Sequence, residues 1–366
     1  MAFDATDIVL TIVKIALVLA ITLSITPVMV WVERRGSALI QDRPGPNRVG
    51  PLGLLQSLAD ALKFILKEDV VPHKAHRWLH SLAPTIGLIP AVTTIVVVPF
   101  GRSFVIPEMT LFGRTFFEGG RLFEPIIADV GIGILLIFAL ASLGVYGLVL
   151  AGWSSNNKYS LFGGIRASAQ MISYELSLTL AAVGVLMTAG SLRLTEVVYR
   201  QAGSFELFGI DGLKIPAWNV FPMLLGFIVF FVSAFAETNR LPFDFAEAEA
   251  ELVAGYHTEY SSMKFAMFFM AEYMAMGTIS ALTVVLFFGG WDIPWWNEPA
   301  TFVGFLLTAI AFLVKVSVMM FVFVWVRWTV PRLKYDYLMR IGWKVFLPLA
   351  IVNILLVGVL IALGWI

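Results

Sequence analysis

The sequence contains no cysteine. That excludes disulfides, cysteine-ligated iron–sulfur clusters and thiol catalysis within this chain. Charge is scarce as well. Only 14% of the 366 residues are Asp, Glu, Lys or Arg, against roughly a quarter in soluble domains. The 25 basic and 25 acidic residues cancel, which leaves no basic excess for nucleic acid and no acidic tail. The opening "MAFDATD" has no basic residue, unlike a cleavable signal peptide, so the first apolar run is expected to be retained. No Gly-Lys-Ser/Thr follows the glycines and prolines of "QDRPGPNRVGP" (41–51), so that stretch is a rigid turn and not a phosphate loop. No internal repeat is visible, which weighs against inverted-repeat transporters and a stand-alone channel.

What is abundant is apolar. Hydrophobic residues make up 59% of the chain, and mean hydropathy is +0.87. Apolar runs long enough for a bilayer core of about 30 Å recur from end to end. The reading is an all-α polytopic membrane protein, a single membrane domain over 1–366. Eight spans are expected at about 8–31, 79–99, 126–150, 166–189, 218–236, 263–289, 299–326 and 344–366. The first, third, fifth and seventh loops hold eight, two, two and five Lys or Arg residues, while the even loops hold six together. Basic residues concentrate on the cytoplasmic side, so odd loops are expected to be cytoplasmic and both termini outside.

The first loop (32–78) contains "PLGLLQSLADALKFILK" (51–67). At helical spacing Leu54, Leu55, Leu58, Leu62, Ile65 and Leu66 fall on one side, with Gln56, Asp60, Lys63 and Lys67 opposite. This is an amphipathic helix, too short and polar to span, and it is expected at the membrane interface. It is either a plain anchor or the gate of a cavity open to lipid.

Three charges lie deep inside spans. Glu175 and Glu272 are about ten residues from a cytoplasmic end and Lys315 about eleven, so each is placed roughly 15 Å deep. A lone charge there costs on the order of 2.5–3.5 kcal/mol. Such groups pair or line a proton path, so the choice is between a static Glu–Lys pair and a relay. The fifth loop (237–262) gathers Asp244, Glu247, Glu249, Glu251 and Glu259 beside Arg240. It is either a solvated acidic turn or a loop packed along a cavity, since Phe243, Phe245, Leu252, Val253 and Tyr256 interleave. His73, His76 and His80 have helical spacing, but no further ligand accompanies them, and a metal site is not expected.

Four stretches then point to a family: "WVERRGSALIQDRPGPNRVGPLGLLQSLADALKFILKED" (31–69), "NNKYSLFGGIRASAQMISYELSL" (156–178), "AETNRLPFDFAEAEAELVAGYHTEYSSMKFAMFFMAEY" (236–273) and "WVRWTVPRLKYDYLMRIGWKVFLPL" (325–349). They resemble the quinone-site membrane subunit of respiratory complex I. The resemblance runs from about residue 8 over nearly the whole chain, and only 100–125 and 190–217 match poorly. It implies a subunit of the proton-translocating NADH:quinone oxidoreductase, with no complete active site in this chain alone. It implies that 51–67 gates a quinone chamber, with Arg34, Asp60, Arg166, Arg240, Arg327 and Arg332 lining it or positioning its loops. It also implies an acidic route for coupling through Glu33, Glu175, Glu237, Glu247, Glu249, Glu251 and Glu272. No cofactor or metal is expected on this chain. Quinone is the substrate, and NADH, FMN and iron–sulfur clusters belong to partner subunits. The implied partners are the peripheral-arm iron–sulfur and quinone-site subunits, the small and antiporter-like membrane subunits, and the bilayer of a bacterial plasma membrane. The alternative is the related membrane subunit of an ion-translocating hydrogenase.

Overall fold

A computed structural model describes residues 5–111, 114–116, 120–206, 214–244, 253–296 and 298–364. Helices dominate: α1 (Ala5–Ile40), α2 (Gln56–Leu66), α3 (Arg77–Thr93), α4 (Gly133–Ser154), α5 (Lys158–Ala189), α6 (Leu194–Gln201), α7 (Leu224–Glu237), α8 (Ser262–Phe287), α9 (Phe302–Thr329), α10 (Tyr335–Ile341) and α11 (Leu347–Ala362). A π turn at Gly342–Phe346 joins α10 to α11. The two poorly matching regions fold partly as short antiparallel ribbons. In the first, β1 (Phe104–Ile106) pairs with β4 (Arg121–Phe123), and β2 (Met109–Leu111) with β3 (Arg114–Phe116). In the second, β5 (Ser204–Glu206) pairs with β6 (Lys214–Pro216).

Among the described residues, seven helical segments are long and apolar enough to cross a membrane, and α7 is a shorter apolar helix. This agrees with an all-α polytopic membrane protein but alters several boundaries. The expected span 218–236 becomes the 14 residues of α7, about 21 Å at helical rise. Residues 219–223 are turn, and Pro222 there lacks the N–H that an earlier helix would need. The last span begins at Tyr335 instead of 344, continuous through the π turn. Arg166, expected at the very start of the span 166–189, lies within α5, which starts at Lys158. The first loop starts after Ile40, so Glu33, Arg34 and Arg35 are helical.

Local chemistry explains the ends. Asn157 caps α5, its Oδ1 accepting from the Tyr159 amide at 3.0 Å. Gly190 closes it in the left-handed region at φ 67°. His76 precedes α3 and accepts from the Leu79 amide, so His73, His76 and His80 do not share one helix face. The core lies where α5, α7, α8 and α9 meet, with Tyr174, Phe230, Phe287 and Phe323 fully buried.

Candidate functional site

The last turns of α1 carry Glu33 into a buried cluster. The Tyr273 hydroxyl donates to its Oε2 at 2.6 Å, and Arg240 donates to the same oxygen at 3.3 Å. Arg327, from the end of α9, pairs with the other oxygen. Arg240 also faces a second carboxylate, with Nε 3.2 Å from Glu272 Oε1. Its guanidinium lies 4.1 Å from the centre of the Tyr273 ring. Only 4% of Arg240 is exposed. Burial works against its charge, but Glu272, Tyr273 and Glu33 outweigh burial and hold the guanidinium above its ordinary value. Two carboxylates thus meet two guanidiniums, and the buried charges compensate one another.

Glu272 also borders a cavity of about 120 Å³. Glu175 of α5 and Glu237 at the end of α7 line the same cavity. Glu175 accepts from the Ser142 hydroxyl of α4. Glu237 Oε2 is enclosed and has no hydrogen-bond partner among the described residues. A buried carboxylate oxygen in that position calls for water or a proton, and the cavity has room for water. The two carboxylates placed inside spans from sequence, Glu175 and Glu272, are therefore brought around one space with Glu237, which the resemblance had named.

The remaining site residues divide. Asp244 is buried and pairs with Arg332 at 3.0 Å. Arg34 pairs with Asp60 at 2.5 Å, joining α1 to α2. Trp31 and Arg35 both donate to the Leu52 carbonyl, at 3.0 and 2.8 Å, which straps the turn before α2 to α1. From the other side, Ser262 donates to the Phe64 carbonyl at 2.8 Å. Held this way, α2 leaves Leu58, Leu62, Ile65 and Leu66 exposed along one face. Arg166 lies against the Tyr335 ring at 5.3 Å. Glu247, Glu249 and Glu251 fall in 245–252, outside the described residues.

Lys315 corrects the sequence reading. It does not share the space of Glu175 and Glu272. Its Nζ donates to the carbonyls of Phe288, Gly290 and Asp292, at 2.8, 3.1 and 2.7 Å, just beyond the C-terminal end of α8. Exposed carbonyls and the negative end of a helix dipole bind the ammonium directly, and the Asp292 and Glu298 carboxylates act on it from nearby. Burial raises the Asp292 carboxyl above its usual range there, opposed by the Trp218 hydrogen bond. His80 is fully buried and stacks on Tyr260 with ring centres 4.0 Å apart. Burial pushes the Tyr260 hydroxyl up to about 12.

Two contacts of these carboxylates go beyond the sequence reading. Tyr273 adjoins Glu272 in a quoted motif, where a hydroxyl within an apolar span calls for a partner. Ser142 sits in an apolar run with no distinguishing pattern.

Fold and site together define a polytopic helical membrane protein that holds a chain of compensated and cavity-lining carboxylates in its interior. Residues 13–358 match the family model described as NADH dehydrogenase. The chain is 48% identical to the H subunit of the NADH-quinone oxidoreductase of Salinibacter ruber, over 92% of this chain and 90% of that protein. It is 46% identical to NADH-quinone oxidoreductase subunit 8 of Rhodothermus marinus, over 92% of each. It is 44% identical to the H subunit of the Bdellovibrio bacteriovorus enzyme, over 99% and 98% respectively. The chain belongs to the NADH dehydrogenase family.

Proposed function

We propose that this chain is a membrane subunit of NADH:quinone oxidoreductase, that it lines the quinone chamber, and that it couples quinone reduction to proton translocation. The observation that carries the reading is the continuity from the Glu33–Arg240–Glu272 cluster to the cavity lined by Glu175, Glu237 and Glu272. Electrons come from NADH through FMN and iron–sulfur clusters in peripheral-arm subunits, since this chain has no cysteine to ligate a cluster. Quinone enters past the apolar face of α2. Arg34 and Asp60 sit at that gate, with Arg166, Arg240, Arg327 and Arg332 holding the loops around the chamber. Reduction to quinol takes up two protons and changes the charge in the chamber. Glu33, Glu175, Glu237, Glu247, Glu249, Glu251 and Glu272 respond by shifting protonation as a coupled set. That change passes on to the small and antiporter-like membrane subunits. The odd loops face the cytoplasm of a bacterium, and both termini lie outside its plasma membrane.

Glu237→Gln tests the route. The complex is expected to assemble, measured as NADH oxidation with a water-soluble acceptor, while quinone-linked turnover and proton pumping fall. Normal turnover and pumping in the assembled variant sink the coupling role.

A further inference from the structure

Gln170 lies on α5, five residues before Glu175, and is fully buried. Its side-chain nitrogen donates to the carbonyls of Ala236 and Phe243, each at 2.8 Å, and to Asn239 Oδ1 at 3.3 Å. Two N–H bonds thus serve three acceptors. All three belong to the stretch that ends α7 and turns through Arg240. Ala236 immediately precedes Glu237. Asn239 immediately precedes Arg240 and sits in the left-handed region at φ 49°. The Phe243 amide in turn donates to the Arg240 carbonyl at 2.8 Å. One side chain therefore grips the turn on both sides of Arg240 and directly behind Glu237. The helix that supplies it also carries Glu175 to the cavity.

The orientation of the amide follows from its surroundings. Turned over, its oxygen would face three acceptors. The Oε1 that remains is enclosed and has no hydrogen-bond partner among the described residues. Leu or Met would fill a similar volume without that cost. What glutamine adds is directional N–H donors.

We propose that Gln170 is a positioning residue: by clamping the 236–243 turn to α5, it sets Glu237 and Arg240 relative to Glu175 and so governs transfer along the carboxylates. The inference rests on the carboxylate-route reading above. The experiment compares Gln170→Ala, Gln170→Glu, Glu237→Gln and the Gln170→Ala/Glu237→Gln double variant in the complete membrane-bound complex. Quinone-linked turnover is normalised to NADH oxidation by ferricyanide, which counts assembled complexes. Gln170→Ala is expected to lower turnover about tenfold, the scale of leaving buried acceptors unpaired. The double variant is expected to be no slower than the slower single variant, because both changes disable one step. A carboxyl at 170 donates only when protonated, so Gln170→Glu turnover should rise towards acid pH relative to the unaltered complex.

Wild-type turnover in Gln170→Ala overturns the proposal. So do losses that multiply in the double variant, or failure of both Gln170 variants to assemble, which makes the residue a structural one. If Glu237→Gln alone leaves turnover unchanged, the carboxylate-route reading itself fails, and the inference falls with it. If Glu237→Gln is impaired and Gln170→Ala is not, only the inference fails.

Discussion

Arg240 holds the two carboxylates of the buried cluster together. It bridges Glu33 through one terminal nitrogen and Glu272 through Nε, while its flat face covers Tyr273. A lysine has one charged nitrogen and no planar face, so it cannot place two separate nitrogens on the two carboxylates while stacking on the ring. Arg240→Lys is expected to assemble but to lose quinone-linked turnover. Arg240→Ala leaves Glu33 to Arg327 and strips Glu272 of this partner, and breaking a buried pair costs about 3–5 kcal/mol. It should lower the amount of assembled complex, read on native gels against the lysine variant. Equal assembly and turnover in all three forms would remove Arg240 from the site. From sequence, Arg240 was one cation in an acidic loop. Its partners come from α1 and α8, more than 200 and 30 residues away, and no local pattern encodes such pairing.

Among the elements, close helix contacts determine where the site can form. A Cβ built on Gly163 of α5 would meet the backbone of Gly255 and Tyr256 at 2.7 Å. The segment that follows the acidic stretch is thereby seated directly on α5. Overpacking costs typically 1–3 kcal/mol, and backbone cannot step aside as a side chain can. Gly163→Val should therefore destabilise by about that amount or more, seen as a lower temperature of irreversible activity loss. An unchanged inactivation temperature would argue against this contact. The amphipathic helix α2 was legible as a pattern, because one apolar face and one polar face repeat at 3.6 residues. Its straps to Leu52 and Phe64 were not, since they use backbone carbonyls, which every residue has.

Across the molecule, ionic groups separate towards two ends. Glu33, Arg240, Glu272 and Arg327 gather along the first half of α8 and at the end of α9. Lys315 and Asp292 gather just beyond the other end of α8. The chain's orientation decides which end faces the cytoplasm. Because the chain has no cysteine, single replacements report sidedness without background from it. Arg200→Cys, in the fourth loop, should react with a membrane-impermeant thiol reagent added to intact spheroplasts. Lys158→Cys, in the third, should react only after permeabilisation. The reverse pattern would invert the topology.

Membrane class, helical architecture and family were all legible in the linear chain, because twenty-residue apolar runs and long motifs are local properties. Glu175 and Glu272 stood out there too, since a carboxylate in an apolar span is costly enough to be conspicuous, and Glu237 came with the resemblance. Which groups meet became visible only in the folded chain: Glu33 with Arg240, Arg327 and Tyr273, the three carboxylates around one cavity, Gln170 on the turn behind Glu237, and Lys315 on backbone carbonyls near Asp292 and not on Glu175 or Glu272. Those pairings depend on helix tilt and on contacts between distant segments, where depth within a span says nothing about which neighbour a side chain faces.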